Sequence, residues 1–184
     1  DRRLHQLGAL RRFHQRINRA VLMRLSSAEL RECHRRIATT LAASESDPAR
    51  LAYHWFSCGE LDQAAEAALD AGNNALRIGA FERACSLFRL AVTCRPEALE
   101  AQRKLAEGLV TSGRLTEAAP MLLALAERAA RPSRAEQLRR EAGEHYMISG
   151  ELERGLQVLQ PLLMAAQLVY PEREAVARQQ HSEA

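Results

Sequence analysis

Residues 71–96 read AGNNALRIGAFERACSLFRLAVTCRP, and the order of small and large residues in that stretch decides the fold. Gly79 divides it. A glycine takes the left-handed backbone conformation that ends one helix and turns the chain into an antiparallel neighbour. Before it, Ala71, Gly72 and Ala75 are small enough for two helices to approach closely. After it, Phe81, Ala84, Phe88 and Ala91 follow at helical spacing, with both phenylalanines expected in the core, and Pro96 closes the unit.

Working outward, four segments share the form glycine, any residue, apolar residue: Gly59-Glu60-Leu61, Gly79-Ala80-Phe81, Gly113-Arg114-Leu115 and Gly150-Glu151-Leu152. The last three glycines are 34 and 37 residues apart. A second copy of the pattern, about 99–132, keeps Leu105, Ala106, Leu109, Gly113, Leu115, Ala118 and Leu122. A third, about 136–169, keeps Ala142, Gly143, Tyr146, Gly150, Leu152 and Leu159, and its longer step predicts a longer connection through Arg131-Pro132-Ser133. The spacing resembles that of the tetratricopeptide repeat (TPR), although Gly155 stands where that family has alanine. The resemblance implies an all-α, right-handed solenoid of antiparallel helix pairs.

Composition agrees with a helical chain. Among 184 residues, with 26 basic and 23 acidic, the only lysine is Lys104, and aromatics make up 4%. Good helix formers dominate, and no Val/Ile-rich run marks a strand, which excludes a sandwich, a barrel or a doubly wound sheet. A self-contained enzyme is not expected. The chain starts at Asp1 without a basic-then-apolar leader and reads as a piece of something longer. The nearly apolar stretch Pro161–Tyr170 falls far short of the roughly 20 residues a membrane helix needs. Cys33, Cys58, Cys85 and Cys94 form no close pair and are expected as reduced thiols packed on helices, which fits a cytoplasmic setting.

Upstream, Ser26 with Glu29 reads as a capping box, Ser133 with Glu136 repeats it, and Asp47-Pro48 reads as a cap followed by a first-turn proline. Helices of about 27–44 and 48–58 make a degenerate fourth pair, and another of about 9–25 precedes them, for nine or ten helices in all. Residues 1–36 hold ten arginines against Asp1, Glu29 and Glu32, net +7, while the remainder, 16 basic against 20 acidic, is net −4. This divides the chain into basic N-terminal helices, 1–46, that link to a missing upstream domain, and a TPR-like domain, 47–184. Phe13-His14, Ile17, Ala20-Val21-Leu22, Leu25-Ser26, His34 to Ala38 and Ala52 to Trp55 resemble the segment that joins the nucleotide-binding core to the TPR arm in bacterial signal-transducing NTPases of the STAND type. That second resemblance implies a sensor or scaffold arm.

Chemistry of its own is not expected in this chain. A phosphate loop ends in Gly-Lys-Ser/Thr, whereas Lys104 is followed by leucine within a helix, so no nucleotide or other cofactor is expected. His54 and Cys58, four apart beside Trp55 and Phe56, read as packing rather than as half a metal site. Glu141 and His145 read as a helix-face ion pair. Binding remains. In the TPR resemblance the first helix of each pair lines the concave side, which would display Leu69, Asn73, Leu76 and Arg77, then Arg103, Glu107, Val110 and Thr111, then Arg140, Glu144, Met147 and Ile148. Arginine can fork onto carboxylates and Asn73 can bond a peptide backbone. Leu69 stands where the family's clamp for a peptide C-terminus has lysine or arginine, so that ligand class is not expected. The expected partner is a protein, a peptide or the protein's own catalytic domains, with no membrane. An alternative is a DNA-associated regulator whose basic N-terminal helices touch nucleic acid.

Overall fold

The cap and turn residues fix where each helix begins and ends. The computed structural model describes residues 25–44 and 46–166, which form eight α-helices. These are α1 (Ser27–Ala42), α2 (Pro48–Cys58), α3 (Leu61–Arg77), α4 (Phe81–Cys94), α5 (Leu99–Thr111), α6 (Leu115–Glu127), α7 (Pro132–Ile148) and α8 (Leu152–Ala165), with no strand among the described residues. Eight is fewer than the nine or ten expected, and the expected helix over 9–25 lies outside the described residues.

At the start of α1, Glu29 N–H donates to Ser26 Oγ at 3.2 Å while Ser26 N–H donates to the Glu29 carboxylate at 2.8 Å, so the capping box forms. Asp47 accepts from Ala49 N–H at 3.0 Å with Pro48 in the first turn of α2. The second capping box does not form. α7 begins two residues earlier than that box requires, with Arg131 in the cap position, Pro132 as its first residue and no side-chain cap.

Gly59, Gly79, Gly113 and Gly150 all have positive φ, between 74° and 89°. Each closes the same pair of bonds. Around Gly79, Ala80 N–H reaches back to Ala75 O at 2.9 Å and Gly79 N–H to Leu76 O at 3.0 Å, and the other three turns repeat this arrangement. The last orphan carbonyls of each helix are thereby satisfied, and the next helix sets off antiparallel. The 37-residue step, however, does not lengthen a connection. Four residues join α4 to α5 and four join α6 to α7, and the extra length goes into α7, which has 17 residues against 13 in α5.

Each described helix packs against the ones before and after it, and α3 also touches α5, which is the contact pattern of a stack of hairpins. Alanine dominates the core: Ala64, Ala65, Ala68, Ala84, Ala91, Ala101, Ala118 and Ala142 are fully buried or nearly so, and no polar or charged residue is buried among those described. Glycines allow the closest approaches. The Phe88 ring fills the space where a Gly72 side chain would be, and its other edge lies 3.3 Å from the Cβ position of Gly108 on α5. One aromatic ring therefore joins α3, α4 and α5. In the last pair Leu159 lies over Gly143, with 2.5 Å left for any Cβ, and Met147 lies over Gly155 at 2.7 Å. This explains the glycine at 155: alanine there would collide with Met147 and crowd the Gly143 carbonyl.

Phe88 is wholly buried as expected, but Phe81 is 39% exposed. It is the first residue of α4, where a side chain has no preceding turn of its own helix to pack on. Cys58, Cys85 and Cys94 are buried free thiols, whereas Cys33 is exposed on α1.

Candidate functional site

Counting back ten, six and two residues from each turn glycine selects one face of α3, α5 and α7. The resulting sets are Leu69, Asn73 and Arg77; Arg103, Glu107 and Thr111; and Arg140, Glu144 and Ile148. Steps of four residues keep each set on one side of its helix. Arg77, Arg103, Glu107, Thr111, Arg140 and Glu144 are exposed and Asn73 is half-buried, while Ala71, Gly72, Ala75, Ala106, Ala142 and Gly143 of the same helices are buried.

The arginine–glutamate pairs recur in register. Arg103 stands 3.7 Å from Glu107 and Arg140 stands 3.8 Å from Glu144. Arg103 is held more tightly by Glu100, at 2.7 Å, and that hydrogen bond both lowers the Glu100 pKa and raises that of Arg103. Glu107 also receives Lys104 at 3.2 Å. Thr111 donates its hydroxyl proton to the Glu107 carbonyl at 2.7 Å, so only its oxygen lone pairs face outward. Arg77 donates to the Asn74 side chain at 2.6 Å, and the Asn73 amide makes no hydrogen bond among the described residues. No ion pair or hydrogen bond among the described residues joins one of these three sets to the next. The surface thus offers exposed guanidinium and carboxylate groups in alternation, together with one unengaged amide on α3. Exposed pairs of this kind contribute about 0–1 kcal/mol to stability, so their partners can be exchanged at little loss.

Sequence reading missed a contact between the first two described helices. His34 on α1 and His54 on α2 meet through their Nδ1 atoms at 3.0 Å, and Tyr53 presents its ring edge-on to both, at centroid distances of 5.6 and 5.3 Å. Only one proton can lie between two such nitrogens, so one ring donates and the other accepts. Burial lowers the His54 pKa from its ordinary 6.5, helped by His34 and by Arg50. The signal was His34 itself, 20 residues upstream of His54, a spacing that has meaning only once α1 and α2 are seen to be antiparallel. Cys58 donates its thiol proton to the Trp55 carbonyl, and no cluster of three or more metal-ligating side chains occurs among the described residues.

Glu141 and His145 do not pair. Glu141 accepts from Gln137 at 2.8 Å, and His145 Nδ1 is buried without a partner. Five residues before the turn glycine, His145 occupies on α7 the place that Gly108 holds on α5. On α5 that position faces Cys85 and Phe88 of the preceding helix, and on α7 the His145 side chain is half-buried.

No family model matches the sequence, and neither does any curated protein. Among solved structures the chain is similar to MamA, residue 41 to the end, from Desulfovibrio magneticus RS-1, with 19% identity, a TM-score of 0.46, and coverage of 75% of this chain and 76% of that one. It is also similar to nearly identical TPR-like repeats from Podosopora anserina, with 14% identity, a TM-score of 0.42, and coverage of 91% and 98%. The class of the fold rests on this chain's own turns, helix lengths and neighbour packing. No described helix is long and apolar enough to cross a membrane.

Proposed function

We propose that this chain is a non-catalytic interaction arm of a larger bacterial signalling regulator, and that the faces of α3, α5 and α7 bind a protein or peptide segment, or another domain of the same protein. The observation that carries this reading is the repetition, in register on successive first helices, of exposed Arg–Glu pairs above a wholly apolar buried face. A solvated surface has no need to keep one spacing over 37 residues. Asn73 supplies an amide able to bond a peptide backbone, and the arginines supply forks for carboxylates.

The test is selection of displayed peptides on the immobilised chain, followed by titration of the best ligand against the charge-reversed pair Arg103→Glu and Arg140→Glu. Loss of at least tenfold in affinity, about 1.4 kcal/mol, supports the reading. Unchanged affinity overturns the assigned face. Tight, salt-dependent binding of duplex DNA in its place would favour the nucleic-acid alternative.

A further inference from the structure

His34 on α1 and His54 on α2 face each other at a spacing that suits a metal ion as well as a proton. Their Nδ1 atoms stand 3.0 Å apart. With imidazole bonds of about 2.0–2.1 Å to a common ion, a separation of 3.0 Å subtends roughly 95° at the ion, close to the about 90° of square-planar and octahedral coordination and below the about 109° of a tetrahedral site. Both rings are half-buried, and Tyr53, 58% exposed, stands edge-on to each of them, so water can reach the nitrogens. Burial holds the His54 pKa below its ordinary 6.5, which keeps this ring neutral, the form that binds metal. The charge of Arg50, which also acts on His54, is carried by an exposed side chain and is weakened by water.

We propose that His34 and His54 form a two-histidine site for a divalent copper or nickel ion, which clips α1 to α2. The bite favours these metals over zinc, whose sites are tetrahedral. Metal entry moves the proton shared by the two nitrogens to the outer Nε2 of the donating ring. Both Nδ1 lone pairs are then free, both imidazoles stay neutral and no proton is lost. A turn of each ring about its Cβ–Cγ bond brings the two lone pairs onto the ion. The described residues offer no group of three ligating side chains, so water completes the shell and the ion remains exchangeable, unlike one in a closed structural site. The clip has something to hold. Ala38 is the buried residue of α1, a helix of 16 residues, and one alanine secures such a helix weakly, whereas a metal that binds only the folded pair stabilises it by mass action.

The test uses the full chain and the metal salts alone. With one equivalent of copper chloride, electron paramagnetic resonance of the wild-type chain should show two coordinated nitrogens. His34→Gln and His54→Gln should each weaken that first site by about tenfold or more, because the second nitrogen binds as an intramolecular ligand. Independently of any variant, diethyl pyrocarbonate modification of the wild-type chain, mapped by mass spectrometry, should find His34 and His54 protected together when nickel chloride is added. Zinc chloride, titrated in the same way, should bind more weakly than nickel. Variants that bind copper as the wild type does, or nickel protection that misses either member of the pair, overturn the proposal. Zinc bound as tightly as nickel overturns the choice of metal, since the rings would then have opened to a tetrahedral bite.

Discussion

Phe88 packs so closely on Gly72 that a Cβ at position 72 would clash with the edge of the ring, with 2.6 Å to Cδ1 and 2.9 Å to Cζ. Alanine in a helix interior ordinarily improves on glycine by about 1 kcal/mol, but here the overlap must displace a fully buried ring held on its far side by Gly108. Overpacking of this kind costs roughly 1–3 kcal/mol. Gly72→Ala should therefore lower the melting temperature. Gly108→Ala should lower it less, because its Cβ would meet Cys85 Sγ at 3.2 Å and the ring at 3.3 Å. A rise in melting temperature for Gly72→Ala would show that helix propensity outweighs the contact.

The two phenylalanines of the repeat should part company. Phe88→Ala opens a cavity at the junction of three helices and should cost about 3–5 kcal/mol. Phe81→Ala removes a ring that is already 39% exposed and should cost about 1 kcal/mol. Urea denaturation of both variants measures the difference, and equal losses would refute the burial pattern.

At Gly79 the cost of a side chain is purely conformational. Its φ is 74° and an added Cβ would touch nothing within 4 Å. Asparagine visits this region readily and a β-branched residue does so poorly. Stability measured by thermal melts should fall in the order glycine, asparagine, valine, with Gly79→Val losing about 1–2 kcal/mol. Indifference to the substituent would remove the turn's dependence on the left-handed conformation.

Acid should loosen the contact between α1 and α2. Burial, with His34 and Arg50 nearby, holds the His54 pKa below its ordinary 6.5, so the unfolded chain binds a proton more readily than the folded one. The stabilisation is present above the unfolded value and is lost as pH falls through the lower, folded value. The groups facing the pair are His34, Tyr53 and Arg50. Thermal melts taken from about pH 7.5 down to about pH 5 should show a decline that His54→Gln reduces. A profile that the substitution leaves unchanged would assign the acid sensitivity elsewhere.

Nucleotide should not bind to this chain alone. Phosphate recognition uses free backbone N–H groups together with a cation, whereas the backbone around Lys104 is committed to α5 and its ammonium to Glu107. Calorimetric titration with ATP and magnesium should give no binding heat, and a micromolar complex would overturn the interaction-arm reading.

The turns were the most legible part of the fold, because left-handed backbone at a helix end demands glycine and leaves that residue visible in the sequence. Helix pairing followed from the small residues at Gly72, Ala75 and Ala142. Phe81 was misjudged because hydrophobicity signals a preference for burial, while exposure depends on whether a residue starts a helix or sits within it. The Ser133–Glu136 box failed because Pro132, which favours the first turn, set the start of α7 instead. On the candidate face, the i,i+4 pairs Arg103–Glu107 and Arg140–Glu144 could be read from spacing alone. Contacts between distant segments, such as His34 with His54 or Arg89 with Glu117 at 2.6 Å, depend on how neighbouring helices are rotated against each other, and no local pattern encodes that rotation.

Because each helix rests mainly on the next one along the chain, the loops closed during folding are short and their entropic barrier is small. A hairpin can settle as soon as its second helix has left the ribosome, without waiting for anything further downstream. Phe88 is the exception. Its ring is seated only when α5 has arrived with Gly108, so the central layers become locked only after the third helix of that group has been made.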